Sequence, residues 1–245
     1  MATRWLSEAC DQRPDAESGA PITRLTTAVT SQNNIYCEQP YTTPDGSRIG
    51  VIRSVNADPR MPPFDLWVAD LHTLKMRLIE RDITSHFVGT AAWTGLIYYL
   101  SADRQLVCAD LATAERRVVL DDWDLPDSFG FQSVSPDQRY LVGCEHSAAF
   151  GTQIVRVDMH TADRQVIYEH DELLGHLQFH PVHGRDILVQ HNRSMSLSDQ
   201  GEVRHVEGYQ ANTTHFIIDV NGGNVRELPI GALRERLCSC GAILA

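Results

Sequence analysis

The sequence lacks most of what a membrane-embedded, nucleic-acid-binding or disulfide-built protein requires. No window approaches the ~18 consecutive apolar residues of a membrane span, and the N-terminal MATRWLSEACDQRPDAESG has no apolar stretch of signal-peptide length. No basic run interrupts a formal net charge of −11 and a pI near 5.4, a balance that repels phosphate backbones and anionic lipid surfaces. These absences point to a cytoplasmic location, with neither nucleic acid nor membrane as a partner. The six cysteines, at positions 10, 37, 108, 144, 238 and 240, show no paired CxxC spacing. Cys37, Cys108 and Cys144 lie in apolar, strand-like runs and are expected as buried thiols, while Cys238 and Cys240 form a lone CxC. Missing too is any sustained 3.6-residue apolar period, because Pro and Gly break the chain at short intervals and apolar residues alternate instead. With 245 residues, 42% of them hydrophobic, the chain is long enough for a real core. That core is expected to be all-β.

What the sequence does contain is a repeat. The segments LWVADLHTLKMRLI (66–79), LVCADLATAERRVV (106–119) and IVRVDMHTADRQVI (154–167) align without gaps. Each is an apolar run ending in Asp, then Leu or Met, a free position, Thr, and a second alternating strand. Asp70, Asp110 and Asp158 are thereby equivalent, 40 and 48 residues apart along the numbering, which is the period of propeller blades. Asp and Thr at a tight turn are suited to satisfying turn amides, so a structural role is expected for them. A second element, PYTTPDGSRIGVIRS (40–54) and SVSPDQRYLVGCEH (133–146), sets Ser/Thr-Pro-Asp between an earlier pair of strands. Four strands per unit make a β-propeller blade.

The repeats predict blade 1 at 34–80, blade 2 at 86–120, blade 3 at 129–169 and blade 4 at 174–230, the last with an insertion near 193–212 that places Asp219 as its turn residue. DAESGAPITRLT (15–26) copies the turn and outer strand of a repeat and is expected to be a closing strand. The propeller domain is thus drawn at 15–231, between an N-terminal tail (1–14) and an atypical C-terminal tail (232–245). It holds four to five blades, so open sheet edges and self-association through them are expected.

Residues 173–192, LLGHLQFHPVHGRDILVQHN, hold four of the eleven histidines. His176, His180 and His183 at i, i+4 and i+7 would stack as a zinc face on a helix. On the repeat, however, LGHLQFH is a first strand, PVHG a rim turn and RDILVQHN a second strand. A strand spreads His176, Gln178 and His180 over ~13 Å at about 3.3 Å per residue. A metal site from that cluster is not expected. First strands line a propeller's channel, which makes His176 the main ligand-facing candidate. Gln32 and Asn33, with Asn34, could form a polar channel entry at the start of blade 1, and His191 with Gln190 is a weaker candidate on a second strand.

Together, SGAPITRLT, TPDGSRIGVI, DLWVADLHT, FQSVSPDQRYLVG, QIVRVDMHTADRQVIYE, LLGHLQFHP and FIIDVNGGNVRELP resemble the oligogalacturonate lyase family in order and spacing, over residues 15–230. The SPDG and DLxTG elements are shared with many TolB-type propellers; LGHxxFxP after an RVDxxT blade is more specific. The resemblance implies a seven-bladed propeller that cleaves pectin-derived oligogalacturonides by β-elimination with a divalent metal, typically manganese. The metal neutralises the uronate carboxylate while a His base takes the adjacent proton. In the family that base lies in a THE or GHE motif after the fourth blade. The metal is bound by three His and one Gln in later SH and QxTHxH motifs, and an Arg lies beside the sugar. Where the base is due, this sequence has CSCGAILA, and the Arg position falls near Thr214. His176 alone matches a family motif, LGH. The resemblance therefore implies a C-terminally truncated or divergent relative with no catalytic residue, metal ligand or cofactor of its own, inactive as it stands, whose ligand class is an oligogalacturonide or another carbohydrate. The alternative is a non-catalytic TolB-like propeller that binds a sugar or protein partner.

Overall fold

A computed structural model describes residues 4–36, 39–56, 62–84, 89–121, 129–198, 202–205 and 212–229. Cys37, Cys238, Cys240 and the segment 230–245 lie outside the described residues. Every regular element among those described is a β-strand, and none forms a helix able to cross a membrane. The chain divides into two compact units: residues 1–88 with 93–123, and residues 89–92 with 124–245.

In the first unit, one sheet runs in the order Leu6–Ser7, Lys75–Ile83, Phe64–Asp70, Arg48–Ser54, Gln32–Asn33. Neighbours are antiparallel, with Arg48 opposite Asp70 and Asp70 opposite Lys75. The strands Leu96–Leu100, Leu106–Asp110 and Glu115–Leu120 repeat the arrangement, with Asp110 again at the turn. The inward faces of both sets supply one core that includes Phe64, Leu66, Ile83, Ile97 and Tyr99, all at most 1% exposed. Period-2 alternation puts these residues on the core face.

The second unit holds two sheets. In one, Gly89–Ala91 runs parallel to Gly130–Val134, which is followed by the antiparallel strands Tyr140–Ser147, Gly151–Asp158 and Arg164–His170; the other is the four-stranded antiparallel sheet Leu173–Phe179, Asp186–Arg193, Asn212–Asp219 and Arg226–Glu227. Between the second and third strands of the latter, Met195–Leu197 and Val203–His205 form a separate hairpin inside the segment expected as an insertion, and the ladder from Asp186↔Asp219 to Arg193↔Asn212 is unbroken around it. The core contains Val142, Ile154, Leu177, Ile187, Val189 and Ile218. Cys144 lies in the same core as a free thiol, its pKa pushed up to about 12 by burial. Cys108 is likewise buried and free, whereas Cys10 is exposed.

The repeated Asp residues act at their turns. Oδ1 of Asp70 accepts from the Thr73 amide at 2.8 Å and the His72 amide at 3.1 Å. Asp110 accepts from Ala112 at 2.7 Å, Asp158 from His160 at 2.9 Å, and Asp219 from Asn221 at 2.8 Å. The N-terminal copy does the same, with Asp15 accepting from the Ser18 amide and hydroxyl, each at 2.7 Å. These donors hold Asp15, Asp70 and Asp158 below the usual carboxylate range. In the Ser/Thr-Pro-Asp turns, Thr43 donates to Asp45 at 2.6 Å and Ser135 to Asp137 at 2.5 Å. The Thr43 contact is the main reason the Asp45 pKa falls to about 2. Arg48 and Arg139 each pair with the Asp of their own blade, Asp70 at 3.2 Å and Asp158 at 3.0 Å.

Neighbouring blades within each unit are tied by arginines that reach the turn after the next Asp. Arg48 donates to the carbonyls of Leu111 and Ala112. Arg156 donates to the Val220 carbonyl at 2.8 Å and Asn221 Oδ1 at 2.7 Å. Beside the latter contact, Gly222 (φ +85°) approaches the Ile167 carbonyl so closely that a Cβ would lie 1.7 Å from the oxygen, a place only glycine can occupy. Truncation in the second unit's core should be costly. Leu141→Ala is expected to lose about 2–5 kcal/mol and Ile187→Val about 0.5–1.5 kcal/mol, measured by urea denaturation of the whole chain.

Candidate functional site

The four ligand-facing candidates are divided between the two units, Gln32 and Asn33 in the first and His176 and His191 in the second. Gln32 and Asn33 belong to the first unit, where they form a short strand beside Arg48–Ser54. Gln32 Oε1 accepts two hydrogen bonds from Arg53, at 3.1 and 3.0 Å. Arg53 also pairs with Glu8 at 2.8 Å and stacks over Trp67, its guanidinium carbon 4.2 Å from the ring centroid. Asn33 Oδ1 accepts from the Ile35 amide at 2.9 Å. Both side chains are therefore engaged locally, Gln32 in a network centred on the Arg53 cation and Asn33 with the Ile35 amide.

His176 and His191 sit on adjacent strands of the second unit. His176 does not follow simple strand alternation. The pairing of Leu173–Phe179 with Asp186–Arg193 shifts between Gly175 and Gln178, and His176 itself has φ +51°. A bulge at this point re-aims the side chain, so His176 and Gln178 are not a simple i, i+2 pair. His180 lies just past the strand, in a turn with His183. Their rings stack at a centroid distance of 3.5 Å, while Nδ1 of His180 accepts from the Val182 amide at 3.2 Å and Nδ1 of His183 from the Arg185 amide at 3.1 Å. That pair organises the turn.

His191 is buried, 4% exposed, and is the centre of a polar corner that the sequence alone did not suggest. The strand Arg164–His170 ends opposite Thr152, and the chain turns through Asp171 and Glu172 into the next strand. Thr152, itself fully buried, donates to the Glu172 carbonyl at 2.9 Å and accepts from the Leu174 amide at 3.0 Å. His146 Nδ1 lies 3.1 Å from the same hydroxyl. The Glu172 carboxylate then accepts from the Ser194 amide at 2.8 Å, and its other oxygen lies 2.5 Å from His191 Nε2. The His170 and His191 rings meet edge to face at 4.5 Å. One potential ligand atom from each of His170, Glu172 and His191 lies within 4.8 Å of the others. His170 and Glu172 were missed because neither belongs to a repeat element; the only signal was HDE directly before LLGH.

Electrostatics in this corner follow from burial. Desolvation pushes the His191 imidazole below its usual pKa and outweighs the Glu172 carboxylate; burial does the same at His146. At Glu172, burial acts upward but is overcome by the Ser194 amide and His191, leaving its carboxyl below its usual value. Gly151 makes the corner possible. It has φ +70°, and a Cβ there would lie 2.3 Å from the His170 carbonyl oxygen and 2.5 Å from the Asp171 Cα.

With the geometry described, comparison with known proteins becomes informative. A scan against family models finds no match, and a search of curated proteins finds none either. Among solved structures, an oligogalacturonate lyase in complex with manganese superposes with a TM-score of 0.63 at 21% identity, over 93% of this chain and 61% of that one. An oligogalacturonate lyase from Vibrio parahaemolyticus gives 0.65 at 16% identity, over 95% and 62%. The fold is all-β and propeller-like, similar to that of these two oligogalacturonate lyases. TolB from Acinetobacter baumannii is also similar, with a TM-score of 0.53 at 14% identity, over 88% of this chain and 47% of that one. The chain spans about three fifths of the length of the lyases it matches. The His170, Glu172 and His191 cluster, with two imidazoles and a carboxylate, does not fit the three-His, one-Gln set that the lyase resemblance implies for manganese.

Two outcomes are expected. The imidazoles of His146 and His191 take protons less readily in the fold than in the unfolded chain, so the folded state binds fewer protons as pH falls below the usual His value of 6.5. Stability is then fully present above that pH and declines below it. Glu172 adds a further loss at pH values below its usual 4.5. Urea midpoints measured from about pH 7 to about pH 5 should fall, and His146→Gln should flatten the decline. Gly151→Ala should cost more than about 1 kcal/mol, because it adds strain at positive φ to a backbone clash.

Proposed function

We propose that these 245 residues form an oligogalacturonate-lyase-type propeller that binds an acidic oligosaccharide of the oligogalacturonide class and does not cleave it. The observation that carries this reading is the fold likeness to two oligogalacturonate lyases, extending over 93% and 95% of the chain. Against turnover stands the residue-by-residue comparison. Two positions inside the sequence depart from the family pattern: CSCGAILA stands where the base motif is due, and Thr214 lies near the place of the Arg. A net charge of −11 repels a polyuronate at distances up to roughly the Debye length of ~8 Å. Capture therefore depends on a local cationic group. The second reading, a TolB-like propeller that binds a protein partner, is supported by the likeness to TolB over 88% of the chain.

Purified protein mixed with trigalacturonate and manganese should give no rise in the absorbance of the unsaturated product above a heat-treated control. Calorimetry with the same ligand should show saturable binding that weakens with added salt. A metal-dependent rise would overturn the non-cleaving part of the proposal. Absence of heat with trigalacturonate would overturn the ligand class and leave the TolB-like reading.

A further inference from the structure

The corner formed by His170, Glu172 and His191 brings together three side chains of metal-ligating type from three stretches of the second unit. His170 ends its strand, Glu172 sits in the connection that follows, and His191 lies on the strand Asp186–Arg193, opposite Leu174 on one side and Thr214 on the other. Their candidate donor atoms already lie within 4.8 Å of one another. We propose that His170, Glu172 and His191 bind a divalent first-row transition metal of the zinc class, through two imidazole nitrogens and one carboxylate oxygen. This proposal is independent of the sugar-binding reading and of the metal set implied for the lyases.

Three observations support the assignment. The first is donor chemistry: two imidazoles and a carboxylate suit zinc, nickel, cobalt or copper, whereas magnesium and calcium prefer all-oxygen shells. The second is spacing. Metal–donor bonds of about 2.0–2.2 Å place tetrahedral donors roughly 3.5 Å apart. The 4.8 Å outer bound is closed by small side-chain rotations, and the 2.5 Å contact between His191 and Glu172 opens as the ion takes the place of the shared proton. The third is anchoring of the ligands. The Glu172 carboxylate is oriented by the Ser194 amide and its carbonyl by Thr152, while Gly151 allows the His170–Asp171 backbone to pack close. Outer partners of this kind orient metal ligands. Three protein donors leave a coordination position for water or an external ligand.

Other clusters carry less. The stacked His180 and His183 supply two donors, with no third ligating side chain gathered beside them among the described residues; their Nδ1 atoms accept turn amides, as His170 Nδ1 accepts the Glu172 amide at 3.0 Å. The Gln32, Arg53 and Glu8 network is a closed set of charge-assisted contacts.

The test is titration of the whole chain with zinc chloride and, separately, cobalt chloride, following binding by calorimetry, cobalt coordination by visible absorption, and thermal midpoint with and without a chelator. His170→Gln and Glu172→Gln keep the side-chain size and are compared with the double variant His180→Gln/His183→Gln. The proposal expects wild type to bind one equivalent that both corner variants lose or hold at least about tenfold more weakly. That equivalent should raise the thermal midpoint and be retained in the turn double variant. Equal stoichiometry and affinity in wild type and His170→Gln would overturn the proposal, as would loss of the equivalent only in the His180/His183 variant, or no binding by folded wild type. If a corner variant has a lower midpoint before metal is added, the cobalt spectrum of the remaining folded variant decides between the outcomes.

Discussion

The fold depends first on a carboxylate oxygen that accepts backbone amides. A chain whose described elements are all strands must reverse direction many times, and each reversal strands amide groups that the ladders cannot reach. Asp15, Asp70, Asp110, Asp158 and Asp219 resolve this the same way, each accepting from amides two to four residues further on. Because the acceptor is charged, the bonds are stronger than neutral ones. In two blades the other carboxylate oxygen also holds an arginine of the same sheet, Arg48 or Arg139. The turn, the register of its strands and the packing of the blade are therefore fixed together.

Where one blade gives way to the next, the second unit uses the same economy with different groups. The hydroxyl of Thr152 joins the strand Gly151–Asp158 to the corner at Glu172 and to the first strand of the following blade. Glu172 then connects that corner to His191 and Ser194. The result is a continuous polar chain through an otherwise apolar region. Buried polar groups are stable only when partnered, and each member here is partnered by the next. Such a network gives defined side-chain positions, which a recognition or metal site requires.

Most of the architecture was legible in the sequence because it is local. Two-residue alternation, the Asp-x-x-Thr turn and the Ser/Thr-Pro-Asp turn each act over a few residues, so the strands around Asp70, Asp110 and Asp158 could be placed without knowledge of tertiary contacts. The site was less legible because it is not local. His191 was noticed on its strand, but its partner Glu172 lies 19 residues earlier, in a connection with no repeat signature. His176 shows a second non-local effect: strand alternation predicts a shared face with Gln178, and the shift between Gly175 and Gln178 changes which side chains share a face. A bulge of one residue leaves no compositional mark strong enough to be read in advance.

The close backbone approaches at Gly151 and Gly222 also bear on how the fold tolerates change. At both points the chain touches an adjoining segment through bare main chain, His170–Asp171 in one case and Ile167 in the other. No side chain stands between them to absorb a displacement. At Gly222 the outer strand of one blade meets the turn of the next, and at Gly151 two strands of one blade meet where their pairing ends, with the gap set by van der Waals radii in each case. Side chains elsewhere on the sheets can be exchanged while this spacing is kept. In this chain spacing at these two points is carried by the backbone, and composition is left free to vary around it.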